Sequence, residues 1–241
     1  MQAQNNQYNS EWMSKPQGIP GCPPGLEYLT QIDQVLIRQK KDCMEIFTGW
    51  EERNRYEIYN SLNQQFFFAQ EESTCLMRQC CGPNRGFILH ITDNYGQEVM
   101  RFRREFRCCV GASCCADSCN CAFEVMVETP SGEPLGKVRQ GQYCCIPEYK
   151  IIDAQGNQIL HVQGPLCVCD CCADFEIQTL DKSQTIGVVK KKWRGLATEM
   201  FTNANSFSIN FPMDLDVKAK AVLMGAAFLI DFMFFEQQNN N

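Results

Sequence analysis

Lys218 to Phe235 reads KAKAVLMGAAFLIDFMFF. From Ala221 onward the run is almost wholly apolar and holds a single acid, Asp231. Ala, Leu and Met favour helix, and a helix apolar on all sides must be enclosed by lipid or by protein. A helix rises ~1.5 Å per residue and a bilayer core asks for about 20 apolar residues. The run is therefore short for a membrane span and carries a charge near its end. It fits a buried core helix, because Asp231 is easier to pair inside a protein than in lipid. A single-pass span with only the residues from Glu236 beyond it is the competing reading. What precedes the run decides between them.

Working outward, a regular device repeats through the middle of the chain. Apolar alternation broken by turn residues appears in RYEIYNSLNQQFFFAQ from Arg55, FILHITDNYGQEVMRF from Phe87, FEVMVETPSGEPLGKV from Phe123, YKIIDAQGNQILHVQ from Tyr149 and FEIQTLDKSQTIGVV from Phe175. Each reads as a β-hairpin. The tips at Asp93 to Gly96, Pro130 to Gly132, Asp153 to Gly156 and Asp181 to Gln184 supply Asx-turn and positive-φ geometry. Phe87, Leu89 and Ile91 face one way and His90 and Thr92 the other, and Phe175 and Ile177 alternate with Glu176 and Gln178. One face is thus buried and one wet. Ser206 to Phe211 is a last strand, alternating Phe207, Ile209 and Phe211 with Ser208 and Asn210 until Pro212 breaks it. A meander of hairpins ending in one apolar helix predicts a closed barrel whose lumen that helix fills.

The remaining composition narrows the class. A chain of 241 residues can bury a sizeable core as one domain. The formal net charge of -6 argues against a general nucleic-acid binder. Residues 1–25, Gln/Asn-rich and then Pro/Gly-rich, read as a disordered tail, 26–236 as the barrel domain with its helix at 218–235, and 237–241 as a polar tail. The opening residues show no apolar signal segment, so a cytosolic setting is expected. Seventeen cysteines are then expected as reduced thiols, acylation sites or metal ligands rather than a secreted disulfide scaffold. There is no P-loop, G-x-G-x-x-G, H-E-x-x-H or G-x-S-x-G, and His90 and His161 fall inside strands. The chain is not expected to be an enzyme.

Several stretches together carry a resemblance: GIPGCPPGLEYLTQID from Gly18, ITDNYGQEV from Ile91, the cysteine clusters, GVVKKKWRGL from Gly187, and SFSINFPMDLDVKAKAVLMGAAFLIDFMFFE from Ser206. The chain resembles the phospholipid scramblase family over Gly18 to Glu236. That resemblance implies a mainly β, Tubby-like fold, a closed antiparallel barrel of about twelve strands around a C-terminal hydrophobic helix. It implies ATP-independent, bidirectional phospholipid movement between leaflets, stimulated by calcium, at the cytosolic face of the plasma membrane or another membrane, with protein partners and a nuclear fraction. The alternative is a Tubby-like lipid- or protein-binding adaptor without transport, anchored by acylated cysteines.

Three constellations could carry that chemistry. Cys108, Cys109, Cys114, Cys115, Cys119 and Cys121 lie among small residues, after Arg101, Arg103, Arg104 and Arg107. Thiols beside positive charge suit S-palmitoylation next to an anionic leaflet, where two acyl chains, or one plus a basic patch, hold firmly. The place matches the family's palmitoylated CCCPCC run, interrupted here by Val110 to Ser113. Combined with Cys167, Cys169, Cys171 and Cys172, the thiols of Cys114, Cys115, Cys119 and Cys121 could instead hold zinc or an iron-sulfur cluster, although paired ribbon spacing is absent; Cys43, Cys75, Cys144 and Cys145 are expected to be buried or merely exposed thiols. Asn203, Asn205, Phe207, Ile209, Phe211 and Asp214 occupy the family's proposed calcium positions. Asn203 and Asn205 replace acids there, Ser208 stands where an EF-hand has Gly, and three of the positions alternate as a strand, so a strand or a weak Ca2+ site is expected. Lys190, Lys191, Lys192, Trp193 and Arg194 sit at the family's nuclear-import-like segment. That run suits importin, an anionic membrane interface or a solvated loop.

Overall fold

The computed structural model describes residues 12–40, 54–74, 80–81, 84–107, 113–117, 121–166, 168, 173–192 and 206–235, the side chains of Cys115 and Lys192 left aside. The alternating stretches form β1 (Gln34–Lys40), β2 (Arg55–Tyr59), β3 (Gln65–Glu72), β4 (Phe87–Thr92), β5 (Glu98–Arg104), β6 (Glu124–Glu128), β7 (Pro134–Gln140), β8 (Glu148–Asp153), β9 (Gln158–Gln163), β10 (Asp174–Thr179), β11 (Thr185–Lys192) and β12 (Ser206–Asn210). Each pairs antiparallel with its neighbours in sequence, and β1 meets β12, with Gln34 opposite Asn210 and Arg38 opposite Ser206. The sheet is therefore a closed twelve-stranded barrel with no free edge.

The tips form as their residues dictate. Asp93 Oδ1 accepts from the main-chain N–H groups of Tyr95 and Gln97, both at 2.9 Å, and Asp153 Oδ1 accepts from those of Gln155 and Asn157 at 2.9 and 2.8 Å. These are Asx turns, and Gly96 and Gly156 take the positive φ that completes them, 73° and 89°.

The lumen holds α1 (Val217–Phe234), one residue earlier at each end than the sequence suggests. Asp216 caps it, its Oδ1 accepting from Lys218 N–H at 2.9 Å and Ala219 N–H at 3.0 Å. Every side chain from Ala219 to Phe232 is buried. From Ala221 onward the helix is apolar on nearly every side, Asp231 apart, and the wall encloses it. Phe228 meets Tyr56 and Phe102 at ring-centroid distances of 5.0 and 5.5 Å, and Phe232 meets Phe87 at 4.3 Å. Burying each such ring stabilises the fold by about 1.5–3 kcal/mol. Two glycines permit the fit: a Cβ on Gly225 would stand 3.0 Å from Val127, and one on Gly136 only 2.7 Å from Val222. Among the described residues no helix is long and apolar enough to cross a membrane.

Within the expected tail, 1–25, Met13 touches the barrel while most of the described residues around it are exposed. Met13 N–H donates to Gln65 O at 2.8 Å and the Met13 side chain is buried. A 3-10 helix, Leu26–Gln31, buries Leu26, Tyr28 and Leu29.

Candidate functional site

Because consecutive strands are adjacent, the connections alternate between the two ends of the barrel. The tips between β2 and β3, β4 and β5, β6 and β7, β8 and β9, and β10 and β11 close one end. The connections β1–β2, β3–β4, β5–β6, β7–β8, β9–β10 and β11–β12 all lie at the other. Among the described residues, every cysteine except Cys22 falls in one of this second set. The helix finishes there too: Phe232 stacks on Phe87 at the start of β4, and Phe235 packs on Phe207 at a centroid distance of 6.0 Å with Lys191 Nζ 3.7 Å above its ring. The chain thus gathers thiols, the ends of its basic runs and the helix C-terminus at one rim.

The β5–β6 connection is tied at its base. Gln140 N–H donates to Phe123 O at 2.8 Å, the Gln140 side chain accepts from Phe123 N–H at 3.1 Å, and Arg107 donates to Ala122 O at 3.3 Å. Ser113–Cys115 form a single 3-10 turn, fastened by Lys150 Nζ to Asp117 Oδ2 at 2.9 Å. That hydrogen bond holds the Asp117 carboxyl below its usual range. Of the thiols expected to carry acyl chains, Cys114 is exposed and Cys121 is buried, so the two are not equivalent. Cys108, Cys109, Cys119 and the Cys115 side chain lie outside the described residues, as do Cys167, Cys169, Cys171 and Cys172. Among the described residues no group of three or more His, Cys, Asp or Glu is placed to hold a metal.

The basic segment before the cysteines is less available than its sequence suggests. Arg101 forks onto Glu98 at 2.7 and 2.6 Å, Arg103 lies 3.2 Å from Glu105 and 3.5 Å from Glu128, and Arg107 lies 3.8 Å from Glu124. Arg104 is buried, its guanidinium 4.2 Å from the Phe123 ring centroid. Strand alternation turns Arg104 inward, and the acids of β5 and β6 and of the residues beyond β5 offset the rest. On β11, Lys190 pairs with Asp174 at 2.8 Å, and Lys191 covers Phe235. Trp193, Arg194 and the Lys192 side chain lie outside the described residues.

Of the six calcium positions, the described ones, Phe207, Ile209, Phe211 and Asp214, are spread along the chain. Phe207 and Ile209 point into the core from β12, a strand paired on both sides, and Phe211 is buried just beyond it. At ~3.3 Å per residue β12 carries the chain roughly 13 Å along the wall, whereas Ca2+ ligands converge within about 2.6 Å of one ion. Asp214 is exposed at the end with the short tips; Asn203 and Asn205 lie outside the described residues.

One rim feature escaped the sequence reading. Arg85 donates Nε to Glu71 Oε1 at 2.8 Å and Nη2 to Glu71 Oε2 at 2.9 Å, both side chains buried. The guanidinium lies 5.1 Å from the Phe232 ring centroid. Burial raises the Glu71 carboxyl pKa, but Arg85 outweighs it and holds the pKa below its usual range. The signal was the alternation of β3, which places Glu71 on the inward side after Phe67 and Ala69.

Comparisons with known proteins agree with this architecture. The Scramblase family model matches residues 13–237. Human phospholipid scramblase 1 is 49% identical over 227 residues, covering 93% of this chain and 70% of its own length. Bovine phospholipid scramblase 2 is 47% identical, covering 93% and 76%. Human phospholipid scramblase family member 5 is 42% identical, covering 89% and 78%. With its closed barrel, its enclosed C-terminal helix and this match over nearly its whole length, the chain belongs to the scramblase family.

Proposed function

We propose that this protein is a phospholipid scramblase that moves phospholipids in both directions between leaflets without ATP, at the cytosolic face of a membrane. The observation that carries the reading is identity of 47–49% to proteins named phospholipid scramblase across more than nine-tenths of the chain. The rim supports it by adding accessible thiols beside basic residues on one pole. Acyl chains on Cys114 and its neighbours would hold that pole against lipid, each buried methylene contributing ~0.8 kcal/mol. In this reading the protein is a lipid transporter rather than a catalyst, with anionic phospholipid as its partner. Calcium enters as a stimulant acting through lipid or through a weak site. Import into the nucleus would use the run Lys190 to Arg194.

A second reading is favoured by one observation. The lumen is filled by α1 and the described wall around it is mainly apolar, with its few buried polar groups, such as Arg104 and Glu71, set apart, so no continuous polar path for headgroups is seen among the described residues. An adaptor that binds lipid or protein without moving lipid would need none. Purified protein in liposomes holding a fluorescent phospholipid decides: transport makes inner-leaflet label accessible to dithionite, with and without calcium. Lipid binding with no gain in accessible label would leave the adaptor.

A further inference from the structure

Outside the run Cys108 to Cys121, the rim carries a second set of thiols in the β7–β8 connection. Cys144 and Cys145 are both exposed. Their place is fixed by the main chain. Gly141 N–H donates to Glu148 O at 2.8 Å and closes the connection at its base. Tyr143 N–H donates to Ser113 O at 3.2 Å, joining it to the turn that bears Cys114, and Gly164 N–H donates to Pro147 O at 2.7 Å, joining it to β9–β10. The pair therefore stands next to Cys114, with Leu166, 73% exposed, just beyond Gly164.

We propose that Cys144 and Cys145 are a second S-acylation site, which takes long-chain fatty acyl groups and seats the barrel end-on against the bilayer. The inference rests on the reading of the rim as the membrane-facing end. The crown Gly141 to Pro147, GQYCCIP, contains no charged residue, so bringing it to the headgroup region desolvates no ion. Two adjacent thiols also permit two chains, the number that turns weak attachment into firm anchoring.

Other thiol chemistries fit the pair less well. Consecutive Cα atoms lie ~3.8 Å apart, short of the about 4.4–6.8 Å a disulfide spans, so the two do not readily oxidise to each other. The hydrogen bond that the Cys144 thiol donates to Cys145, and then the fields of Cys145 and Cys114, raise the pKa of Cys144. That disfavours the free thiolate that oxidation and metal binding need, whereas an acyltransferase brings its own base. In the transfer, Sγ attacks the carbonyl carbon of a long-chain acyl-coenzyme A or of the enzyme's acyl thioester. The thiol proton goes to the base, the old C–S bond breaks, and the donor thiol leaves reprotonated. No redox partner is consumed.

Trypsin isolates the site, since cleavage after Arg139 and Lys150 releases Gln140 to Lys150 with these two cysteines only, and cleavage after Arg107 and Lys137 releases Cys108 to Lys137. The full chain is expressed in animal cells, its free thiols are blocked, thioesters are opened with hydroxylamine, and the peptides are mapped by mass spectrometry. Hydroxylamine-dependent label on Gln140 to Lys150 is expected, together with the loss of one or two mass-tag steps in Cys144→Ser/Cys145→Ser. Label on Cys108 to Lys137 but none on Gln140 to Lys150 overturns this proposal and leaves the rim reading standing. No label on either peptide, with the protein recovered in the soluble fraction, overturns both.

Discussion

The ammonium of Lys220 donates to the carbonyl oxygen of Leu29 at 2.9 Å, joining α1 to the 3-10 helix across most of the sequence. It also donates to Ile32 O at 2.9 Å and Met213 O at 2.6 Å, with the side chain wholly buried. No carboxylate bonds directly to it; desolvation lowers its pKa, opposed by the fields of Asp214, Asp33 and Asp216. Three carbonyls with one shared donor make this a fastening of the N-terminal segment onto the helix. Lys220→Met removes the donor and leaves three buried acceptors, so a loss of about 2–4 kcal/mol is expected. Urea unfolding monitored by Trp fluorescence reads it, and a change below about 0.5 kcal/mol would refute the fastening.

Gly136 on the wall packs against Val222 of α1. Gly136 has φ 151°, and a Cβ there would meet Val222 Cγ2 at 2.7 Å and Ile152 O at 2.5 Å. One of those atoms is backbone and cannot rotate away. Gly136→Ala is expected to destabilise by about 1–3 kcal/mol through overpacking. The shortened double variant Gly136→Ala/Val222→Ala should recover only part of it, because the Ile152 carbonyl remains. Thermal melts of both variants test this, and full recovery in the double variant would show that the side chain alone sets the constraint.

Much of this was legible in the residues. Period-two alternation identified the hairpins, Asp and Gly identified their tips, and the uniform apolarity of Ala221 to Phe235 required an enclosure that a closed sheet supplies. What escaped depends on third-dimension neighbours. Arg85 reaches Glu71 from the connection before β4, and no local pattern announces a partner 14 residues away. Arg101, Arg103 and Arg107 looked like one basic patch because Glu98 and Glu105 were not weighed beside them and Glu124 and Glu128 arrive only through the pairing of β5 with β6. Cys144 and Cys145 carry no signal in the sequence that sets them beside Cys114; the bond from Tyr143 N–H to Ser113 O does.

The two histidines should pull stability in opposite directions with pH. His90 sits on the outer face between Glu98 Oε1 at 2.5 Å and Glu72 Oε2 at 2.7 Å, with Arg101 opposite it on β5. Burial lowers its pKa, but the bonds from Glu98 and Glu72 outweigh it and raise the pKa above the ordinary value. A raised folded pKa contributes stability that is fully present below the unfolded value near 6.5 and is lost as pH rises through the folded value. His161 is the reverse: burial, then Lys182, lower its pKa, so its contribution is present above about 6.5 and lost as pH falls through the folded value. His90→Gln should therefore flatten the decline of unfolding free energy on the alkaline side, and His161→Gln the decline on the acid side. Identical pH profiles for wild type and both variants would contradict the assignment.

Calcium affinity at Asn203 to Asp214 should be no tighter than millimolar. Tight sites converge several anionic oxygens on one ion, and here Phe207 and Ile209 are committed to the core from a strand whose main chain pairs with β1 and β11. Binding there would require pulling β12 from the wall and breaking the closure between β1 and β12. Titration calorimetry with the purified chain is expected to show no saturable heat at micromolar calcium, and Asp214→Ala should leave the isotherm unchanged. Saturable micromolar binding abolished by Asp214→Ala would mean that β12 leaves the barrel when calcium is present, and hydrogen exchange at Phe207 and Ile209 would then rise with added calcium.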